Sequence, residues 1–226
     1  MPGECATLTE KKSVKGVEIV NETMTTTILW QTNRRHVFRY LYDSPGPVSG
    51  NEIARDLELD LDKVTDGLNS LITEGLVSCS VSSAGGDRTY ELIPGARIAV
   101  GISIRDDGVR LLAIDLRAEE LGCRELSIPF SHTPEYYQTI SRHLEEFLDE
   151  FGLDRERLLG VGIAVPGIID QTEGKMVMAP TLELWDVPLE EIYCHFSRYP
   201  AFIENIPNAS GYAEQWADRG RTNMVY

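Results

Sequence analysis

Positive charge is scarce in this sequence. Of 226 residues only 21 are Lys or Arg, against 36 Asp or Glu, and the formal net charge is −15. A chain this acidic does not coat nucleic acid or anionic membrane indiscriminately, so any nucleic-acid contact has to come from a local basic surface. Long apolar runs are missing too. None approaches the roughly 18–20 residues that span a bilayer, and Glu4, Thr7, Thr9 and Glu10 interrupt any signal-peptide pattern at the N-terminus. Four cysteines (Cys5, Cys79, Cys123, Cys194) form no C-x-x-C pair, and four histidines (His36, His132, His143, His195) are equally dispersed. Metal-ligand sets cluster at short spacings, so no metal site is expected. The thiols read as reduced, in a cytoplasmic protein. There is no internal repeat and no low-complexity segment. What is present, 42% hydrophobic and 25% charged residues, is the composition of a folded chain long enough for two domains.

The chain changes character at Ile93-Pro94-Gly95. Residues 1–27 are polar and Thr-rich and read as an N-terminal arm. Residues 28–94 read as three helices and a hairpin. The first helix carries Val37, Phe38 and Leu41 on one face and stops at Ser44-Pro45-Gly46-Pro47. Ser49-Gly50-Asn51-Glu52 is a capping box opening a short helix with Ile53, Ala54 and Leu57 inward. Asp60 is expected to cap a third helix whose apolar positions are Leu61, Val64, Leu68 and Leu71, ending at Glu74-Gly75. A strand from Leu76-Val77 turns through Ser83–Asp87 and returns over Arg88–Leu92. Three short helices and a hairpin make a winged helix-turn-helix, in which the third helix enters a major groove.

Residues 95–226 open with three strands, Arg97 to Ile104, Val109 to Leu116 and Glu120 to Ile128, as an antiparallel meander. A helix follows, with Thr133 as cap, Pro134 at its first position and Tyr137, Ile140, Leu144, Phe147 and Phe151 on its buried stripe; Gly152 closes it. Leu158 to Val165 is apolar throughout, which suits a central strand covered on both faces. The layout is α/β.

Gly160 to Asp170, Gly174, Ala179-Pro180-Thr181-Leu182, Trp185 to Leu189, Phe202 to Ala209 and Ala213-Glu214-Gln215-Trp216 together resemble the ROK family of bacterial repressors, open reading frames and sugar kinases. A winged helix ahead of such a domain resembles the family's repressors. The resemblance implies an actin-like ATPase fold with two lobes. Only the first lobe is expected in this chain; the second lobe and the family's Cys-rich zinc segment are expected to be absent, whether because a longer polypeptide has been cut or because the homologue is short.

The family's kinases hold ATP phosphates on an Asp-x-Gly-Gly-Thr turn and place a catalytic Asp directly after an Asn. Here Gly101 stands where the first Asp would be, with Ser103-Ile104-Arg105 in place of the small residues, and Ile206 stands where the catalytic Asp would be. An isoleucine accepts no proton. No catalytic residue and no cofactor are therefore expected. For a sugar effector the resemblance implies Thr181, Asn205 and Gly167. The alternatives are that Asn205 and Asn208 cap a turn and the next helix, and that Pro166-Gly167 is only a turn.

DNA contacts are expected from Arg34 and Arg35 on the first helix, Lys63, Thr65 and Asn69 on the third, and Arg88 in the wing. Residues 28–94 carry six basic and ten acidic side chains, and Asp60, Asp62 and Asp66 repel phosphates from the third helix. Binding weaker and more salt-sensitive than that of a basic winged helix is expected. Gly67 weakens the third helix by about 1 kcal/mol relative to Ala. The sequence thus predicts a DNA-binding, sugar-responsive transcriptional regulator, a repressor acting as a homodimer on a double-stranded operator, with no membrane partner. A sugar kinase and a protein-interaction module are the competing readings. Apolar residues near the end, Trp216, Met224 and Val225, suggest self-association.

Overall fold

Apolar spacing and helix caps account for most of the elements. A computed structural model of the chain describes residues 30–81 and 86–217. The arm expected over 1–27, the hairpin turn at 83–85, and Met224 and Val225 lie outside the described residues. The chain divides into two compact units, Met1–Ile93 and Pro94–Tyr226.

In unit 1, helix α1 runs over 30–43 and stops at the Ser44–Pro47 turn. Strand β1 (Val48–Ser49), helices α2 (Gly50–Asp56) and α3 (Leu61–Thr73), and strands β2 (Val77–Val81) and β3 (Arg88–Leu92) follow. The capping box at α2 is formed. Glu52 N–H donates to Ser49 Oγ (3.2 Å) while Ser49 N–H donates to Glu52 Oε2 (2.7 Å), so two otherwise orphaned donors are satisfied. Those bonds from Ser49, backbone first and hydroxyl second, hold the Glu52 carboxyl below its ordinary range. α3 ends in a Schellman motif, with Gly75 at φ +70° and Leu76 N–H donating to Leu71 O at 2.9 Å.

Two expectations for α3 need correction. Asp60 occupies the N-cap position, yet its carboxylate caps nothing; Oδ2 is taken by Lys63 Nζ at 2.6 Å. Leu61 is 46% exposed at the first turn of α3, with its side chain beside Gly50. Val64, Leu68 and Leu71 are buried with Val37, Leu41, Ile53 and Val77. Gly67 is buried against α1, where an added Cβ would lie 3.5 Å from Val37 and 3.6 Å from the Arg34 backbone. β1, too short to announce itself in sequence, pairs Val48 with Tyr90 and completes a sheet in the order β1-β3-β2.

Unit 2 has an α/β fold. Strands β4 (Ile98–Ile104), β5 (Val109–Asp115) and β6 (Glu120–Leu126) form the meander, followed by α4 (Pro134–Glu150) and β7 (Leu158–Val165). A second sheet follows, β8 (Ile168–Asp170), β9 (Lys175–Ala179) and β10 (Leu184–Pro188), then α5 (Glu190–Tyr193), β11 (Ala201–Asn205) and α6 (Ile206–Ala217). The five-stranded sheet has the order β11-β7-β4-β5-β6, with β7 parallel to both β4 and β11. Thr133 caps α4 with Pro134 at its first position. Tyr137, Ile140, Leu144 and Phe147 lie in the core with Val100, Ile102, Val161 and Ile163. Phe151 does not join that stripe: at the C-cap it is 37% exposed, and its ring covers Gly122, where a Cβ would come within 2.5 Å of the ring.

β7 is not covered on both faces as its apolar run predicts. Val161, Ile163 and Val165 are buried, while Gly162 and Leu159 are exposed. α4 shields one face only. The other face is an open groove of about 500 Å³ floored by Gly101, Gly162 and Ala164 and flanked by Phe202 and Tyr212. An apolar run alone does not distinguish two-sided from one-sided cover.

Candidate functional site

The exposed side of α3 carries Asp62, Thr65, Asp66 and Asn69, at the i, i+3, i+4, i+7 spacing that follows from burying the opposite side. Two of the four cations expected to contact DNA, and two others of the unit, are committed to its own carboxylates. Arg34 Nη2 pairs with Glu74 Oε2 at the end of α3, and its guanidinium lies 6.0 Å from the Trp30 ring centroid. Lys63 pairs with Asp60, Arg39 with Asp43 (3.3 Å) and Arg55 with Asp56 (2.8 Å). The Lys63 bond holds the Asp60 carboxyl below its ordinary range, and Arg55, followed by the Tyr40 hydroxyl, does the same for Asp56. Arg35 and Arg88 are exposed and make no ion pair among the described residues. Of the expected DNA-contacting residues, Thr65 and Asn69 therefore share the α3 surface with two carboxylates. Arg35 and Arg88 are the uncommitted cations, and Arg34 and Lys63 are engaged within the unit.

In unit 2 Asn205 and Gly167, two of the expected effector residues, stand at or just past the C-terminal ends of the parallel strands β11 and β7, where α/β sheets bind ligands. Register places Asn205 of β11 beside Val165 of β7, two residues before Gly167. Gly167 sits at φ +126°, where an added Cβ would lie 2.3 Å from Met178 O and 2.9 Å from Ala179; only glycine fits. Thr181, two residues past Ala179, is exposed on the short turn Pro180–Leu182. Asn205 Oδ1 accepts from Asn208 N–H at 2.8 Å, which caps the first turn of α6. The buried Glu204 accepts at Oε1 from Asn205 N–H (2.8 Å) and Asn208 Nδ2 (3.2 Å). The capping alternative for Asn205 is thus occupied in the structure, and its amide nitrogen remains the group with chemistry to offer a ligand.

Sequence reasoning missed Trp185 as a surface feature of this region. It is 60% exposed, opposite Met178 across β9–β10. The only signal available was its place in the family-like Trp185-Asp186-Val187-Pro188 stretch. The stretch aligned with the kinase phosphate turn is a hairpin: Gly101 sits within β4 opposite Leu112, and Arg105 N–H donates to Gly108 O at 2.9 Å. Ile206 begins α6. His132 is engaged by the Tyr137 hydroxyl (3.0 Å) and Glu191 (3.3 Å). Among the described residues no three His, Cys, Asp or Glu side chains are grouped to hold a metal ion, and no helix is long and apolar enough to cross a membrane.

The chain is 26% identical over 194 residues to the putative xylose repressor of Caldicellulosiruptor sp. (strain Rt8B.4), covering 84% of this chain and 48% of that protein. It is 27% identical to the xylose repressor of Bacillus subtilis (strain 168), covering 80% and 48%, and 24% identical to the DNA-binding transcriptional dual regulator NagC of Escherichia coli (strain K12), covering 68% and 39%. A solved ROK family transcriptional regulator, a homolog of the E. coli MLC protein, shares the fold with a TM-score of 0.66 at 19% identity, over 83% of this chain and 48% of that one. The chain spans about half the length, or less, of these relatives. The sequence pattern of the ROK family matches residues 99–226, more than half of the sequence and nearly the whole of unit 2, and the chain belongs to the ROK family.

Proposed function

We propose that the chain acts in a sugar-responsive transcriptional repressor of carbohydrate genes. One observation carries the reading: a unit of helices and a three-stranded sheet precedes a ROK domain, and the match to the Caldicellulosiruptor repressor, 194 residues long, is longer than unit 2 and so reaches into unit 1. Unit 1 is then a winged helix-turn-helix, with α3 entering the major groove, β2–β3 as the wing, and Arg35 and Arg88 on phosphates. Two copies read a double-stranded operator. A sugar held at the β7 and β11 strand ends, by Thr181, Asn205 and the Gly167 backbone, shifts the population between two spacings of the DNA-reading units. Phosphoryl transfer is not part of the function, because Gly101 and Ile206 supply no carboxylate for metal or base.

The experiment that tests the reading is a salt-titrated mobility shift on the chain's own upstream DNA, with nonspecific competitor. Specific retention supports it; no retention at low salt ends it. ATP-dependent phosphorylation of glucose, xylose or N-acetylglucosamine would instead support a kinase. A protein-interaction module is the second reading, favoured by the four paired cations and the acidic face of α3.

A further inference from the structure

We infer that Ile168, Met178 and Trp185 form the apolar platform of the effector site, and that Trp185 selects a pyranose presenting a flat C–H face. The inference rests on the sugar-responsive reading above and names the class of ring it accepts. Cross-strand register aligns the three side chains in one row, Ile168 opposite Met178 and Met178 opposite Trp185, and directly opposed residues share a face. The neighbouring row, Ile169, Met176 and Val187, enters the core. The row beside it, two residues along β9 and β10 on the same face, is exposed at both ends, with Ile168 at 56% and Trp185 at 60%, and Met178 is half-buried between them. A β-bulge between Ile168 and Ile169 sets the position of the first residue.

The row adjoins Gly167 at the end of β7. Gly167 precedes Ile168 and is packed against the Met178 carbonyl, Thr181 lies on the turn between β9 and β10, and Gln171 Nε2 donates to Ile203 O (2.6 Å), tying the β8–β9 turn to β11 and hence to Asn205. Exposed apolar surface rimmed by hydrogen-bonding groups is what a sugar ring needs: its hydroxyl edge meets polar side chains and its C–H face meets an aromatic plane. The backbone on either side of Trp185 is constrained. Glu183 (φ +55°) and Asp186 (φ +53°) hold left-handed backbone on either side of Leu184-Trp185, an arrangement non-glycine residues keep only when the surroundings impose it. Lys175 imposes it at Asp186, pairing with Oδ1 at 3.0 Å while also holding Glu173 at 2.8 Å. A ring with all hydroxyls equatorial, such as xylopyranose, lies flat on such a plane; an axial hydroxyl lifts it off.

Calorimetric titration of the full chain with D-xylose, its 2-epimer D-lyxose and N-acetyl-D-glucosamine tests this, using Trp185→Ala and Trp185→Phe variants whose circular dichroism and melting match the parent. The expected result is binding of D-xylose or N-acetyl-D-glucosamine that weakens at least tenfold in W185A and stays within threefold in W185F, with lyxose bound more weakly than xylose by the parent and the gap narrowed in W185A. Equal sugar affinity in the parent and W185A overturns the platform and leaves the sugar-responsive reading standing. No binding of any of the three by the parent overturns both.

Discussion

The surface of α3 and the strand ends of unit 2 both rest on buried apolar cores and differ in what their polar groups are committed to. Behind α3, Val64, Leu68 and Leu71 are buried, but four of the six cations of residues 28–94 are held by the unit's own carboxylates. At the strand ends, Gly167 is locked by close packing and Thr181 and Trp185 are exposed. The difference teaches that a scaffold keeps its shape whether or not its surface keeps a given chemistry, because apolar spacing sets the first and individual side chains set the second. Under the proposed function, DNA reading by unit 1 would depend on few groups, while ligand reading by unit 2 would depend on a shape that tolerates little change.

Breaking the comparison at its tightest point should have the largest effect. Gly167→Val puts carbon where Met178 O already sits, and unit 2 should lose roughly 2–4 kcal/mol, seen as a Tm lowered by about 10 °C in thermal melting. An unchanged Tm would mean that the β7–β9 approach is looser than described. On the α3 side, Asp62→Lys with Asp66→Lys should raise affinity for nonspecific DNA about tenfold or more at low salt. The same affinity in a mobility shift would mean that this face does not meet DNA. Within unit 1, Ser49→Ala removes one arm of the capping box and should lower stability by about 1 kcal/mol in urea unfolding. Gly67→Ala should raise it by roughly 0.5–1 kcal/mol, since the new methyl finds ordinary contact with Val37.

The smallest effect is that of pH. Glu52, Asp56 and Asp60 have carboxyls held below their ordinary range by Ser49, Arg55 with Tyr40, and Lys63. A carboxylate depressed in the folded state stabilises above the unfolded pKa of about 4, and that contribution is lost as pH falls through the lower folded values. The urea midpoint should therefore drop between pH 5 and pH 3. Glu52→Gln should flatten part of that drop, and an identical profile in the variant would remove Glu52 from the explanation.

Much of this architecture was legible in the sequence, and the reasons are local. Ser49-Gly50-Asn51-Glu52 and Thr133-Pro134 fix helix starts through bonds made within a few residues. Gly75 marks a helix end for the same reason. What was not legible depends on partners distant in sequence. Asp60 is drawn from capping to Lys63, Arg34 pairs forty residues away with Glu74, and β7 is bare on one face because a second covering element is missing among the described residues. At the candidate site, Gly167, Thr181 and Asn205 were expected from the family resemblance, whereas Trp185 was passed over as part of a motif. Its exposure follows from a sheet, β8-β9-β10, that short strands with bulges do not announce.

The central claim is most directly tested by measuring affinity for the upstream DNA against affinity for random DNA across a salt series. The account predicts retention of the upstream fragment over random sequence by a factor on the order of 10³. Because Arg35 and Arg88 are the cations of unit 1 that make no ion pair among the described residues, it also predicts a shallow salt slope for their contacts, about −2 to −4 for a dimer, in place of the steep one that the sequence alone suggests. Equal affinity for both DNAs, or no complex at 50 mM salt, would contradict it.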